Sequence, residues 1–208
     1  MIYSETITEK MRSIAGIIFD NFNDKYYLAG GTALSLQIGN RKSVDLDYFI
    51  NDNIDTLKLK DDISDFFKSF SIKFIFEEKN TLWCTIDGVK ISFISRFDVL
   101  LENVLIVDDF RLAQIKDITV MKLSAICGRE EYKDYFDLAC ISTNTDSRSW
   151  NTWWQEVYKN NDPISYMIAL ANVDNIQEIP LNIENRFEAI STKNTIHKIV
   201  TEMKSFIL

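Results

Sequence analysis

Asp45 and Asp47 lie one residue apart in a run, Val44 to Ile50, that alternates in polarity. As a strand, the run puts Val44, Leu46, Tyr48 and Ile50 on one face and Asp45, Asp47 and Phe49 on the other. The two acidic Cα atoms then stand about 6.5–7 Å apart. Carboxylates that close repel each other unless a cation neutralises them. Hard oxygen ligands with open positions suit Mg²⁺, which takes one or two protein carboxylates and substrate phosphates. Upstream, Leu28-Ala29-Gly30-Gly31-Thr32 leads from a strand through two glycines into a helix N-terminus. Bare backbone N–H groups and the helix dipole favour a phosphate there. Thr32 either caps the helix or gives its hydroxyl to a phosphate oxygen. Arg41 and Ser43 stand just before the acidic strand, Arg41 as a loop cation or as a phosphate contact. The chemistry these residues point to is nucleotidyl transfer, with metal ions activating an attacking hydroxyl and steadying a leaving pyrophosphate. Either feature alone is commonplace. Their order on consecutive elements, with one helix between, makes the pair informative.

A second cluster lies downstream. On one continuous helix, Lys122, Ile126, Arg129, Lys133 and Asp137 fall within about one quadrant, with Asp134 turned further round. Such a stripe suits triphosphate oxygens or an RNA phosphate. The plain alternative is a solvated face held by i,i+4 pairs such as Lys133 with Asp137, and Gly128 is placed to interrupt the helix. Residues 111–133 hold five basic residues (Arg111, Lys116, Lys122, Arg129, Lys133) and three acidic ones (Asp117, Glu130, Glu131), an electropositive stretch in a chain of net charge −8.

The elements that must position these groups follow from periodicity. Glu5 to Phe22 has helical spacing at Ile7, Met11, Ile14, Ile17, Ile18 and Phe22. Tyr26 to Ala29 reads as a short strand, and Thr32 to Ile38 as a helix ended by Gly39. Asp55 to Phe70 predicts a helix buried through Ile63, Phe66, Phe67 and Phe70. Strands follow at Ile72 to Phe76, Leu82 to Ile86 and Val89 to Ile94, the last two joined by an Asp87-Gly88 type I′ turn, with a short strand at Val104 to Val107. From Lys116 the pattern is helical, apart from a loop at Asn172 to Asn182, and a last helix at about Ile183 to Phe206 offers a partner-docking surface. Trp150, Trp153, Trp154 and Tyr158 recur at helical spacing and are expected to pack the C-terminal helices, RNA stacking being the lesser reading. These readings divide the chain into residues 1–112 and 113–208.

Composition removes several classes. With 46 % apolar and 26 % charged residues over 208 positions, disordered and fibrous chains drop out. A net charge of −8 argues against a duplex-DNA coater or an anionic-membrane binder. Cys84, Cys127 and Cys140 form no C-x-x-C pair and read as buried, reduced thiols. A single histidine, His197, rules out multi-histidine zinc sites. No apolar stretch reaches the ~18 residues of a membrane span. The N-terminus lacks a basic-then-apolar signal pattern, so the cytoplasm is the expected location.

The run Tyr27 to Phe49, YLAGGTALSLQIGNRKSVDLDYF, resembles the AbiEii/AbiGii toxin family of nucleotidyltransferases, and Met121 to Leu138, MKLSAICGREEYKDYFDL, matches that family's second hallmark. The likeness spans about residues 10 to 190. It implies an α+β fold, in which a polymerase-β-like nucleotidyltransferase core with a mixed sheet and flanking helices precedes an all-helical C-terminal domain. It also implies the toxin half of a toxin–antitoxin or abortive-infection pair. The donor would be an NTP (GTP or CTP), the acceptor RNA, tRNA first, and the protein partner a cognate antitoxin, with no membrane involved. By resemblance Asp45 and Asp47 would hold Mg²⁺. Gly30, Gly31, Thr32, Arg41, Ser43 and Lys122 would meet the nucleotide, with Arg129, Lys133 and Asp134 completing the site. Asp137 would be the proton acceptor or an orienting acid. One departure stands out: many polymerase-β-like enzymes carry a third carboxylate on a later strand, whereas Val89 to Ile94 holds none, and Asp87 and Asp98 flank it. That departure keeps a degenerate nucleotide-binding module in view as a rival, and the acidic overall charge keeps a small-molecule nucleotidyltransferase of the antibiotic-modifying kind.

Overall fold

A computed structural model describes residues 2–22, 25–159 and 162–207, the side chains of 205–207 excepted. Among the described residues seven strands form one mixed sheet: β1 (Tyr27–Leu28), β2 (Asp45–Ile50), β3 (Ile72–Glu78), β4 (Thr81–Ile86), β5 (Val89–Ser95), β6 (Leu105–Val107) and β7 (Phe110–Leu112), in the order β3-β4-β5-β2-β1-β7-β6. Strands β2 and β5 pair in parallel, as do β1 and β7; the remaining neighbours are antiparallel. The helices α1 (Glu9–Asn21), α2 (Gly30–Ile38) and α3 (Thr56–Phe66) are interleaved with the strands. The others, α4 (Ile115–Gly128), α5 (Tyr132–Ile141), α6 (Trp150–Val157), α7 (Ile164–Ala171) and α8 (Thr192–Ile207), follow the last strand.

Alternation in β2, β5 and β4 sorts the two faces of the sheet. Leu46, Tyr48, Ile91, Phe93, Leu82 and Cys84 are buried on one of them. There the Phe93 ring meets Tyr48, Tyr26 and Phe22, and Phe22 in turn packs edge-on against Phe66 of α3. Burial of these rings against α1 and α3 stabilises this layer and, through the strict period of two, aims Asp45, Asp47, Lys90, Ser92 and Trp83 at the opposite face. The apolar core continues into the second half through Leu123, Phe136, Trp150, Trp154 and Tyr166. Trp150 and Trp154 are buried and Trp153 half-buried, so the tryptophan repeat packs helices as expected. No described helix is long and apolar enough to cross a membrane.

Several boundaries differ from the sequence expectation. The first helix begins at Glu9, because Thr8 accepts a hydrogen bond from the Met11 amide and caps it; Ser4–Thr6 is a separate 3₁₀ turn. Helix α3 ends at Phe66, although Phe67 remains fully buried. Val44 precedes β2 and is 72 % exposed, so it does not share the face of Leu46. Strand β7 was not expected; Asp108 adopts φ +47° in the tight turn that pairs it with β6. The last helix starts at Thr192 rather than Ile183, which is instead bridged to Arg41. Cys127 is exposed, unlike Cys84 and Cys140.

Candidate active site

Asp45 and Asp47 stand on β2 beside the N-terminus of α2. Gly30 begins that helix at φ +65°, and a Cβ there would come 3.3 Å from Asp47 Oδ2. Position 30 therefore excludes side chains twice, by backbone conformation and by the nearness of the carboxylate. Across the parallel β2–β5 pairing, Asp45 is opposite Lys90 and Asp47 opposite Ser92. The Ser92 hydroxyl donates to Asp47 Oδ1 at 2.5 Å. The β5 residue opposite Asp47 thus carries a hydroxyl and not an acid. Burial raises the Asp47 pKa, and the neighbouring Asp45 charge raises it further against the Ser92 hydrogen bond. A carboxylate in that state is stabilised by a bound cation, so the pair fits a divalent metal in charge and in donor type. Among the described residues no group of three His, Cys, Asp or Glu is assembled, so protein ligation would rest on these two.

Behind the pair lies a buried ionic network. Gly128 ends α4, Arg129 is extended, and the chain reverses into α5, so the single stripe expected from Lys122 to Asp137 does not exist. Instead the two helices face each other. Lys122 Nζ lies 2.6 Å from both Asp134 Oδ1 and Asp137 Oδ2. Arg129 Nε donates to Asp134 Oδ2 at 2.8 Å. Arg41 holds Asp137 bidentately, Nε to Oδ1 at 2.9 Å and Nη2 to Oδ2 at 3.0 Å, and Asn40 adds a bond to Oδ1 at 2.8 Å. Burial would raise the Asp137 pKa, but Lys122 and Arg41 outweigh it and hold the carboxyl at about 2. Burial would lower Lys122, and the carboxylates of Asp137 and Asp134 reverse that and raise it. Lys133 pairs with Glu131 at 2.9 Å, not with Asp137, and Ile126 is core. Asn40 had no signal in the sequence, being linked to Asp137 only by the tertiary fold.

Network and glycine turn are coupled through Gly31. A Cβ there would lie 2.3 Å from Arg41 Nη2. Since that guanidinium is pinned on Asp137, it has no cheap way to retreat. Gly31→Ala is expected to lower stability by up to about 2 kcal/mol, an overpacking cost of ~1–3 offset by the ~1 kcal/mol helix preference for alanine, measurable by urea titration. Thr32 behaves differently from either expectation. It does not cap the helix: its hydroxyl is buried, donates to the Asp45 carbonyl and pairs with Ser43 Oγ at 2.7 Å, tying α2 to the acidic strand.

A cleft of about 850 Å³ runs between the exposed face of the sheet and α4. Of the residues singled out in the sequence, Gly30, Gly31, Arg41, Ser43, Asp45, Asp47, Lys122, Arg129 and Lys133 line it, whereas Thr32, Asp134 and Asp137 stand behind its wall. Lys42, Lys90, Arg96, Ser92, Trp83 and the loop Pro180-Leu181-Asn182 also line it, beside apolar side chains such as Val44, Phe49, Ile75, Ile94 and Met121, and were not expected there. That loop is held by Lys42 N–H donating to the Asn182 carbonyl (2.8 Å) and Glu184 N–H to the Asn40 carbonyl (3.0 Å). Seven cations and two carboxylates therefore face the cleft in an acidic protein. From the basic stretch 111–133 only Lys122, Arg129 and Lys133 contribute, because Lys116 pairs with Glu102 and Arg111 lines a small pocket under α1.

A mixed sheet carrying paired carboxylates beside a glycine helix start, opposite a cationic helical wall, is the architecture of a nucleotidyltransferase. The chain belongs to the family described as nucleotidyl transferase AbiEii toxin, type IV TA system, whose model matches residues 12–194. It is 33 % identical over 134 residues to the uncharacterized protein aq_aa25 of Aquifex aeolicus strain VF5, a match covering 62 % of this chain and 64 % of that curated relative. In fold it is similar to JHP933 of Helicobacter pylori (TM-score 0.53, 18 % identity, 97 % of this chain and 96 % of that one). A similar likeness extends to the MenT4 nucleotidyltransferase toxin of Mycobacterium tuberculosis H37Rv (TM-score 0.53, 11 % identity, 93 % of this chain and 82 % of that one).

Proposed function

We propose that this chain is a cytoplasmic, Mg²⁺-dependent toxin that transfers a nucleotide from an NTP, GTP or CTP, to RNA, with tRNA as the first acceptor class and a cognate antitoxin as its protein partner. The observation that carries this reading is the carboxylate pair in a cleft whose charged lining is otherwise cationic. Residues 1–112 would form the transferase core and 113–208 the helical wall.

The amides of Gly30 and Gly31 at the start of α2 receive the triphosphate, with Arg129 and Lys133 on its oxygens. Lys122 uses two of its three N–H donors on Asp134 and Asp137, leaving one for a phosphate. Asp45 and Asp47 would hold a divalent cation, which would supply charge neutralisation and acidify the attacking hydroxyl. The acceptor oxygen bonds to the α-phosphorus, the bond to pyrophosphate breaks, and the hydroxyl proton passes to Asp45, Asp47 or solvent. Asp137 acts as an orienting acid rather than a base, since both its oxygens are occupied by Asn40, Arg41 and Lys122.

The acidic total charge suits a cationic drug, but the cleft's own lining opposes one and favours polyanions. The test is incubation with total cellular RNA, Mg²⁺ and each α-labelled NTP in turn. A labelled RNA band is expected, its intensity falling about ten-fold or more between 50 and 200 mM salt if three or four phosphates are engaged. Label that appears only on aminoglycoside-type acceptors and ignores salt would reverse the assignment.

A further inference from the structure

Trp83 stands apart from the other tryptophans. Trp150 and Trp154 are buried, whereas the Trp83 indole is 44 % exposed. Register explains where it points: Trp83 on β4 is opposite Ser92 on β5, and Ser92 is opposite Asp47 on β2. One row across three strands therefore carries an aromatic ring, a hydroxyl and the site carboxylate on a common face, with Trp83 two strand spacings, about 10 Å, from Asp47. Phe76, its partner on β3, braces the ring with centroids 4.9 Å apart at 43°. In the adjacent row Lys90 lies opposite Asp45 and is exposed. The glycine turn follows β1, on the side of β2 away from β5 and β4, so the cleft has a donor end and, towards β4, a second end that is aromatic and basic.

We propose that this second end is the acceptor subsite. In it the base of an unpaired nucleotide near the RNA terminus stacks on Trp83, and Lys90 meets the adjoining phosphate. The inference rests on the transfer reading above and names its acceptor chemistry: single-stranded rather than duplex RNA, because an exposed indole face takes a base only when that base is out of its helix. The cleft volume of about 850 Å³ lies near the top of the ~300–1,000 Å³ range of single-ligand pockets, leaving room for a terminal nucleotide beside a donor NTP.

The test reads binding and transfer separately. A fluorescein-labelled single-stranded RNA 12-mer is titrated by anisotropy into the wild type, Trp83→Ala and Trp83→Phe, with melting curves confirming that each folds. Trp83→Ala is expected to bind about ten-fold or more weakly, as loss of one base–aromatic stack implies, while Trp83→Phe stays within about three-fold. Binding of a fluorescent NTP analogue should be equal in all three. Unchanged RNA affinity in Trp83→Ala, an equal loss of NTP affinity, or no RNA binding by the wild type overturns the subsite. Tight RNA binding that depends on Trp83 without any nucleotide transfer keeps Trp83 as the RNA-stacking platform and overturns the transfer reading, and with it the name of acceptor. Transfer that proceeds in Trp83→Ala with an unchanged KM for RNA removes the subsite alone.

Discussion

Asp45→Asn and Asp47→Asn are each expected to lose about a thousand-fold or more of nucleotidyl transfer, the scale of several kcal/mol of transition-state charge stabilisation. The amide keeps the shape and one acceptor oxygen but removes the charge that would hold the cation. A second readout should separate chemistry from folding, because Asp47 is not neutral for stability. Burial and the Asp45 charge raise the pKa of Asp47. A raised carboxyl favours the folded state below its ordinary value near 4 and loses that contribution as pH rises through its folded value, so at pH 7 the charged form costs stability. In metal-free buffer Asp47→Asn is therefore expected to raise Tm, by about 2–4 °C if the relief is about 1 kcal/mol. Added Mg²⁺ should raise the wild-type Tm and leave both variants unmoved. A dead variant that melts lower than the wild type without metal, or a wild type that ignores Mg²⁺, argues that the pair is structural.

The half of the site on β2 was legible because a period of two is a local property. Asp45, Asp47 and the glycine turn are near in sequence, and one buried face determines where the other points. Ser92 and Trp83 were hidden for the complementary reason. Which residue stands beside Asp47 depends on a parallel register between strands separated by α3 and the β3–β4 hairpin, and nothing local specifies it. Lys122, Asp134 and Asp137 were found as residue types and misplaced in geometry. Gly128 marked the break, but two helices reversing on each other convert a solvated stripe into a buried cluster, and Asn40 and Arg41 reach it from almost a hundred residues away. Thr32 shows the limit of type alone. A threonine at a helix start is ambiguous between cap, ligand and tether, and only the closeness of the Asp45 carbonyl selects the last.

Lys122→Met should be the most destabilising single change in the site. Methionine matches the length of the aliphatic stem but leaves Asp134 and Asp137, both fully buried, short of one cation. Removing one partner of a buried ion pair costs about 3–5 kcal/mol, or roughly 6–20 °C in Tm for a chain of this size. The sign of the pH dependence follows from the depressed acids. Asp137 is held at about 2, so its contribution is complete above the ordinary carboxyl value near 4 and is lost as pH falls towards 2. Asp134 is lowered for the same reason, Lys122 and Arg129 overcoming its burial. In the variant these carboxylates no longer have the ammonium that kept them ionised, and protonation relieves them. The gap in Tm between wild type and Lys122→Met should therefore be widest near neutral pH and narrow steadily below about pH 4, as followed by circular dichroism from pH 7 to 3. A gap of constant width would mean that the lysine stem, not its charge, stabilises the α4–α5 hairpin. Arg41 would then be the cation on which the orientation of Asp137 depends, since it keeps both of that carboxylate's oxygens in hand after the lysine is gone.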